Sequence, residues 1–487
     1  MRKLSILSIV ASLLFVNCTK NLSSLNNDPK HLTSPAADPL FTQGELNLAD
    51  AVTTTSVAIA PFRVLSQEWT ENQYTYEANY NFSAYDAPSG FWNSMYVLVI
   101  HNLELAKAGY NAAILPPAQQ RNSLIIADIL EVYAYHMLVA TYGDIPYTQA
   151  QNTSIPFPAY DDQKTVYADL LHRIDTCIAG LDVSSAAMGS ADLIYGGDTP
   201  SWLKFAASLQ LKMAIFLADV DPTTATSEIN AAISTGLFTS NSDNALFHFD
   251  VSNPSYSNPV WNAIQFSTRH DFGPTNILIN TMVGWNDPRV PEYFTNYPVG
   301  SSTYKGLVPG ATNGYGPFSD FAGGLGSGVN LYDPGLPGDL LDYSQVEFYL
   351  AEAAARGFIS DPPATHYNNA ITASIEFWGG SAGDAATYLA QPAVAYATAA
   401  GPWQQKIGFQ EWIADYNNNW DSWSVIRRLH NPDVNTLNPP VSAASGYPIR
   451  FTYPPNETTS NSANTAKAVA DLPGGVDVVT AKLFWEN

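Results

Sequence analysis

Apolar residues recur at three- and four-residue intervals over most of the chain, the spacing that places them on one face of an α-helix. The pattern predicts helices over residues 44–60, 90–112, 117–142, 162–181, 200–219, 223–236, 274–284, 342–358, 364–378, 403–414 and 418–430. The clearest run has Leu124, Leu130, Ala134 and Leu138 among Asp128, Glu131 and Tyr135. A second stripe, Tyr167, Leu170, Leu171, Ile174, Cys177, Ile178 and Leu181, makes Cys177 a core thiol and not a reactive one. Gly143 after Tyr142 and Pro222 after Asp221 are natural helix stops.

Several helices fall into pairs, 90–112 with 117–142 and 162–181 with 200–219. Antiparallel pairs of this length look like tetratricopeptide units, which stack and bury one another's apolar faces. The expected fold is therefore mainly α: a scaffold of tetratricopeptide-like helix pairs with long irregular loops wrapped around it. Two segments break the periodicity. Residues 237–341 are rich in glycine and carry Tyr304, Tyr315 and Tyr332, whereas 431–487 are proline-rich and end in Phe484-Trp485, an apolar close that predicts a docked C-terminus. Length alone suggests about three domains, but one wrapped scaffold over 44–487 accounts for the pattern better.

The N-terminus reads as an address. Arg2 and Lys3 precede an apolar run to Val16, which stops at Asn17-Cys18. A basic start and a short apolar stretch form a secretory signal, too short to span a bilayer. Leu14 to Cys18 resembles a bacterial lipobox, with Asn17 where a small residue is usual, so residues 1–17 are the expected signal and Cys18 the lipid-attachment site. The alternative is an ordinary signal peptide with a chance cysteine. Several acyl chains on Cys18 would anchor the protein stably. Residues 18–43, rich in Asn, Ser, Thr and Pro, then form a tether.

Composition narrows the function classes. Only 13% of residues are charged and the formal charge is −23, which argues against a nucleic-acid partner. Two cysteines exclude a disulfide scaffold and a cysteine-rich metal site. The eight histidines show no metal spacing, and neither a phosphate loop nor a dinucleotide fingerprint occurs. No cofactor or metal is expected. Gly379-Gly380-Ser381-Ala382-Gly383 matches a nucleophile elbow in letters, but it follows the helical stripe Ile371, Ile375, Trp378 where the motif needs a strand. Ser381 is thus read as a helix cap. A pair of glycosidase carboxylates, distant in sequence, cannot be picked from 44 acidic residues.

A series of local motifs is similar to one family. Leu130-Glu131-Val132-Tyr133-Ala134 through Tyr142-Gly143-Asp144-Ile145-Pro146-Tyr147 resembles the helix-to-loop segment of SusD/RagB-type nutrient-binding lipoproteins. In the same order follow Trp202 to Leu209, with Ala207 where Asn is usual; Asn286-Asp287-Pro288-Arg289; Val346 to Gly357; Trp423 to Arg428 with Pro432; and Ile449 to Pro454 with Glu457 and Asn461. The terminal Leu483-Phe484-Trp485-Glu486 is also similar. Asn26-Asn27-Asp28-Pro29 looks closest to the second SusD-like subfamily.

The resemblance implies an outer-membrane, lipid-anchored protein of a Bacteroidetes-type bacterium that faces the cell exterior. It implies an oligosaccharide or peptide ligand and a SusC-type TonB-dependent transporter as partner, with no catalysis. A surface glycoside hydrolase and a structural adaptor are the rivals. Glu347, Glu352, Arg356, Arg427, Arg428 and Arg450 are expected to form buried ion pairs that clamp helices to the C-terminal wrap. Ligand contact is expected from loop aromatics, Trp69 with Tyr74, Tyr76 and Tyr80, and Tyr304, Tyr315 and Tyr332, because flat sugar faces stack on aromatic rings.

Overall fold

The computed structural model describes residues 36–267, 270–312, 317–322 and 330–486, and both Cys18 and Tyr315 lie outside the described residues. The chain is mainly helical. In order run α1 (Ala37–Thr53), α2 (Phe62–Leu65), α3 (Ala87–Asn93), α4 (His101–Ala112), α5 (Pro117–Tyr142), α6 (Gln163–Gly180), α7 (Thr199–Phe216) and α8 (Pro222–Thr235). They are followed by α9 (Asn276–Gly284), α10 (Tyr343–Arg356), α11 (Pro363–Phe377), α12 (Ala382–Leu389), α13 (Trp403–Ala414), α14 (Asn419–Leu429) and α15 (Ser462–Asp471). From α4 to α8, and again from α10 to α12, each helix packs on the one before it, while α1 lies across α4.

Local chemistry explains most boundaries. Gly143 ends α5 with a φ of 93°, a conformation that side chains with a Cβ avoid. Asp342 and Gln345 form a capping box at the start of α10, and Gly357 closes it in the left-handed region. Ser381 and Asp384 form the same box on α12, so Ser381 caps a helix. Three expectations need correction. The tether does not reach residue 43: α1 starts at Ala37, because Pro39 is tolerated in a first turn whose N–H groups lack partners anyway, and Phe41 is fully buried. Pro222 does not merely stop a helix; it opens α8 behind the Asp221 cap, and the preceding helix ends earlier, at Phe216. The run over 90–112 is interrupted by a π-helical stretch, Ser94–Ile100, which turns Val97 and Leu98 outward.

Two hydrophobic cores result. The first joins α1 to α8 with Trp420, Trp423, Phe451 and the C-terminal Trp485. The second gathers Trp69, α9, Phe321 and the inner faces of α10, α11, α13 and α14. The proline-rich segment wraps as expected: Trp485 packs on Phe216 with ring centroids 4.7 Å apart, and the Phe451 amide donates to the Thr141 carbonyl at 2.9 Å. Residues 237–341 contribute structure, not one long loop. They supply β4 (Ala245–Phe247), antiparallel to β6 (Gly338–Leu341), and β5 (Phe272–Pro274), antiparallel to β1 (Trp69–Glu71), while β2 (Ile145–Pro146) pairs with β3 (Tyr160–Asp161) after α5.

Candidate ligand-binding cleft

The β1–β5 pairing places Glu71 opposite Phe272 and brings two distant segments into one wall. Beside it opens a cleft of about 530 Å³, lined by Thr54, Thr55, Ser56, Gln73, Tyr74, Tyr85, Asn262, Phe272 and others. One rim is the loop after β1, with Tyr74, Tyr76 and Tyr85 exposed by 58%, 44% and 42%. The facing wall is a π-helical turn, Asn262–Phe266, that leaves Phe266 outward. Exposed rings above neutral hydroxyl and amide groups are what a flat, hydroxylated ligand requires.

Strain collects at this rim. Gln67, Tyr74, Tyr80 and Asp86 all have φ between 50° and 59°, a region costly for side chains with a Cβ. The surroundings hold them there. Asn79 donates from its side chain to the Gly310 carbonyl at 2.8 Å and accepts from the Ser442 amide at 2.9 Å, so both irregular segments pin the loop. Gly310 has a φ of 69°, and a Cβ there would meet the Asn79 side chain at 2.3 Å.

The expected aromatic residues divide. Tyr74 lines the cleft, and Tyr76 meets Tyr85 edge-on with centroids 6.1 Å apart. Trp69 is placed in the second core, its ring 4.1 Å from that of Phe321 and under the Arg63 guanidinium. Tyr80 is 3% exposed, its hydroxyl bonded to Gln67 and Asn435. Trp69 and Tyr80 therefore offer no free ring face: the strand Trp69–Glu71 is buried along its whole length and a left-handed turn carries Tyr80 inward, which composition does not reveal. Tyr304 and Tyr332 are half-buried against the second core and do not line the cleft. Tyr85, Phe272 and Asn262 were missed by sequence reasoning. Tyr85 precedes the Asp86-Ala87-Pro88 helix start, and that position was its one usable signal.

The charged residues lie elsewhere. Arg427 donates to Glu486 at 2.9 Å and to the Ala140 carbonyl at 2.8 Å, and Arg450 to Asp477 at 2.5 Å and the Tyr142 carbonyl at 2.9 Å. Arg356 bridges Glu352 at 2.8 Å and Asp219 at 2.6 Å; Arg428 pairs with Glu352 and Glu411; Glu347 accepts from His366 at 2.7 Å. None lines the cleft. Among the described residues no group of three or more His, Cys, Asp or Glu side chains could hold a metal ion.

A second recess, about 540 Å³, is lined by Glu104, Asp128, Tyr135, Tyr147, Thr148, Gln151, Asn152 and Arg173. Its charged groups bind one another. Lys107 reaches Glu131 at 2.6 Å and Glu104 at 3.1 Å; Arg173 reaches Glu131 at 2.9 Å and the Tyr147 hydroxyl at 2.9 Å.

Comparison with known proteins agrees with this architecture. No curated protein matches the chain. Solved structures do. A SusD homolog from Bacteroides uniformis is 25% identical with a TM-score of 0.77, covering 92% of this chain and 99% of its own. A structure titled a chitin-binding protein is 24% identical with a TM-score of 0.77, over 92% of this chain and 99% of that one. A chitin-binding SusD homolog from Flavobacterium johnsoniae is 22% identical with a TM-score of 0.75, over 91% and 98%. The SusD-like_2 family model, described as starch-binding associating with outer membrane, matches residues 29–454. With its helical scaffold, wrapped C-terminus and full-length structural likeness, the chain belongs to this family of SusD-like proteins.

Proposed function

We propose that the protein captures an oligosaccharide in the cleft between Tyr74, Tyr85 and the Asn262–Phe266 turn, and passes it to a SusC-type TonB-dependent transporter in the outer membrane. The observation that carries this reading is the exposure of the tyrosine rim beside the hydroxyl and amide groups of Thr54, Thr55, Ser56, Gln73 and Asn262. The chitin-binding titles of two structurally similar proteins favour a glycan over a peptide. Family membership supports the outer-membrane location and a binding role, not an enzymatic one. Cys18 would carry the lipid anchor. Calorimetric titration with chitohexaose and maltohexaose tests the reading. Binding of either sugar, weakened by Tyr74→Ala, supports it; a Tyr74→Ala protein with full affinity removes the cleft from the site. The hydrolase rival rests on Glu71 and Asp271 both lining the cleft; release of shorter glycans in a product assay would favour it.

A further inference from the structure

Behind the tyrosine rim lies a pair of carboxyl groups that ligand stacking leaves without a role. Glu71 ends β1 and lines the cleft, and Glu77 opens the short turn Glu77–Asn79. They are 3% and 0% exposed. One Glu71 oxygen accepts the Ala78 amide at 3.0 Å, whereas among the described residues neither Glu77 oxygen receives a well-formed hydrogen bond from another residue's donor. The two carboxyls interact with each other, side chain to side chain.

Among the described residues no ion pair to a cation is formed by either carboxyl. α2, which packs on β1 and on the turn, brings Arg63, but that guanidinium donates to the Thr53, Tyr416 and Asn417 carbonyls. From β5 and its approach come Asp271 and His270, the latter facing Asp320 at 3.7 Å. The rim itself brings only the phenols of Tyr74, Tyr76 and Tyr85. Two buried anions in contact are prohibitive, and one proton between them turns repulsion into a hydrogen bond. Burial, then the neighbouring Glu77, raises Glu71 to about 9, and burial raises Glu77 to about 7.

Building on the binding role above, we propose that Glu71 and Glu77 share a proton and act as a latch holding the tyrosine rim beside the cleft, so that saccharide capture weakens as pH rises. The turn carrying Glu77 directly follows Tyr76, whose ring edge supports Tyr85. Asn79 pins the far end of the loop. When the shared proton leaves to solvent, repulsion drives Glu77 outward, and Tyr76 moves with it. The protonated pair is favoured in the native fold, so the latch is intact at pH 6.5 and lost as pH rises through 7 to 9.

Two measurements decide this separately from the binding reading. In ligand-free protein, infrared difference spectra of wild type against Glu77→Gln and Glu71→Gln should show a protonated carboxyl band at pH 7 that fades above pH 9. A fully ionised pair at pH 7 overturns the latch and leaves the binding reading untouched. Chitohexaose titration should then weaken roughly fourfold in wild type between pH 6.5 and 9.5, because about a quarter of a group titrating near 9 is still protonated there. Glu77→Gln, which does not line the cleft and whose amide can donate to Glu71, should keep the pH 6.5 affinity and lose that pH dependence. Equal pH slopes in wild type and Glu77→Gln overturn the proposal. A wild type that binds neither chitohexaose nor maltohexaose at pH 6.5 overturns the binding reading and the regulatory half of the latch, and the infrared band alone then decides the shared proton.

Discussion

The cleft and the Arg173 recess are nearly equal in volume, about 530 and 540 Å³, and both contain tyrosines, yet their chemistry is opposite. In the recess the Arg173 guanidinium covers the rings of Tyr135 and Tyr147, at 5.9 and 5.8 Å from their centroids, and carboxylates satisfy both cations. Stacking and hydrogen-bonding capacity are already used within the fold. In the cleft Tyr74 and Tyr85 keep an open face. Size and aromatic content therefore do not distinguish a binding site from a structural hollow; free interaction capacity does. The recess joins α4, α5 and α6, so its ion pairs belong to the framework.

Removing Arg173 tests the framework side with the largest expected effect. Arg173→Ala leaves Asp128 and the fully buried Glu131 to Lys107 alone. Losing one partner of a buried pair costs about 3–5 kcal/mol. Because the Arg173 side chain is 21% exposed, a loss of roughly 2–3 kcal/mol in urea unfolding is expected. Saccharide affinity should not change. A weakened affinity in this variant would make the recess a ligand surface and end the contrast.

Tyr85→Ala should do the reverse. Loss of one stacking ring removes about 1 kcal/mol of binding, a fall of about fivefold in affinity. Its ring is 42% exposed, so the unfolding midpoint should stay near that of wild type. Unchanged affinity with lowered stability would show that Tyr85 is packing and not binding.

The fold was far more legible in the sequence than the cleft, for a physical reason. Helix faces repeat, and a repeat such as Tyr167, Leu170, Leu171 and Ile174 states both the element and its buried side. The cleft is assembled by pairing β1 with β5, residues some two hundred positions apart, and nothing local to Glu71 or Phe272 announces the partner. The tyrosines beside β1 show the limit well. Tyr74 and Tyr80 share a left-handed backbone and similar neighbours, yet one is open and the other is bonded to Asn435 from the C-terminal wrap. Of the residues expected to clamp helices to the C-terminal wrap, Arg427 and Arg450 do so, whereas Glu347, Glu352, Arg356 and Arg428 pair within the helical body, because sequence shows the charges but not their partners.

Smaller still is the expected difference in pH response. Burial opposes ionisation of Asp128, but Arg173 and Lys107 outweigh it and hold its carboxyl below the usual aspartate range. Asp128 therefore gives stability above that range, lost as pH falls through the lowered value, whereas burial raises its neighbour Glu131 to about 8. The Glu71–Glu77 pair is raised, so its contribution is lost as pH rises through 7 to 9. Urea unfolding from pH 3 to 9.5 should show Asp128→Asn flattening the acid limb and Glu71→Gln flattening the alkaline limb. Interchanged limbs would invert the assignment of the two regions.

The smallest expected effect also separates the two ligand classes. At a formal charge of −23 the protein attracts cationic ligands over long range, and salt screens that attraction within about 10 Å at 0.1 M. A neutral oligosaccharide feels none of it, because stacking on Tyr74 and Tyr85 and hydrogen bonds to the hydroxyl-rich lining involve no net charge. Affinity for chitohexaose should thus be the same at 50 and 500 mM sodium chloride, within about 1.5-fold. A basic peptide would instead lose affinity steeply over the same range. A salt-sensitive ligand that still competes with chitohexaose would mean that Glu71 and Asp271, and not the tyrosines, provide the dominant contacts in the cleft.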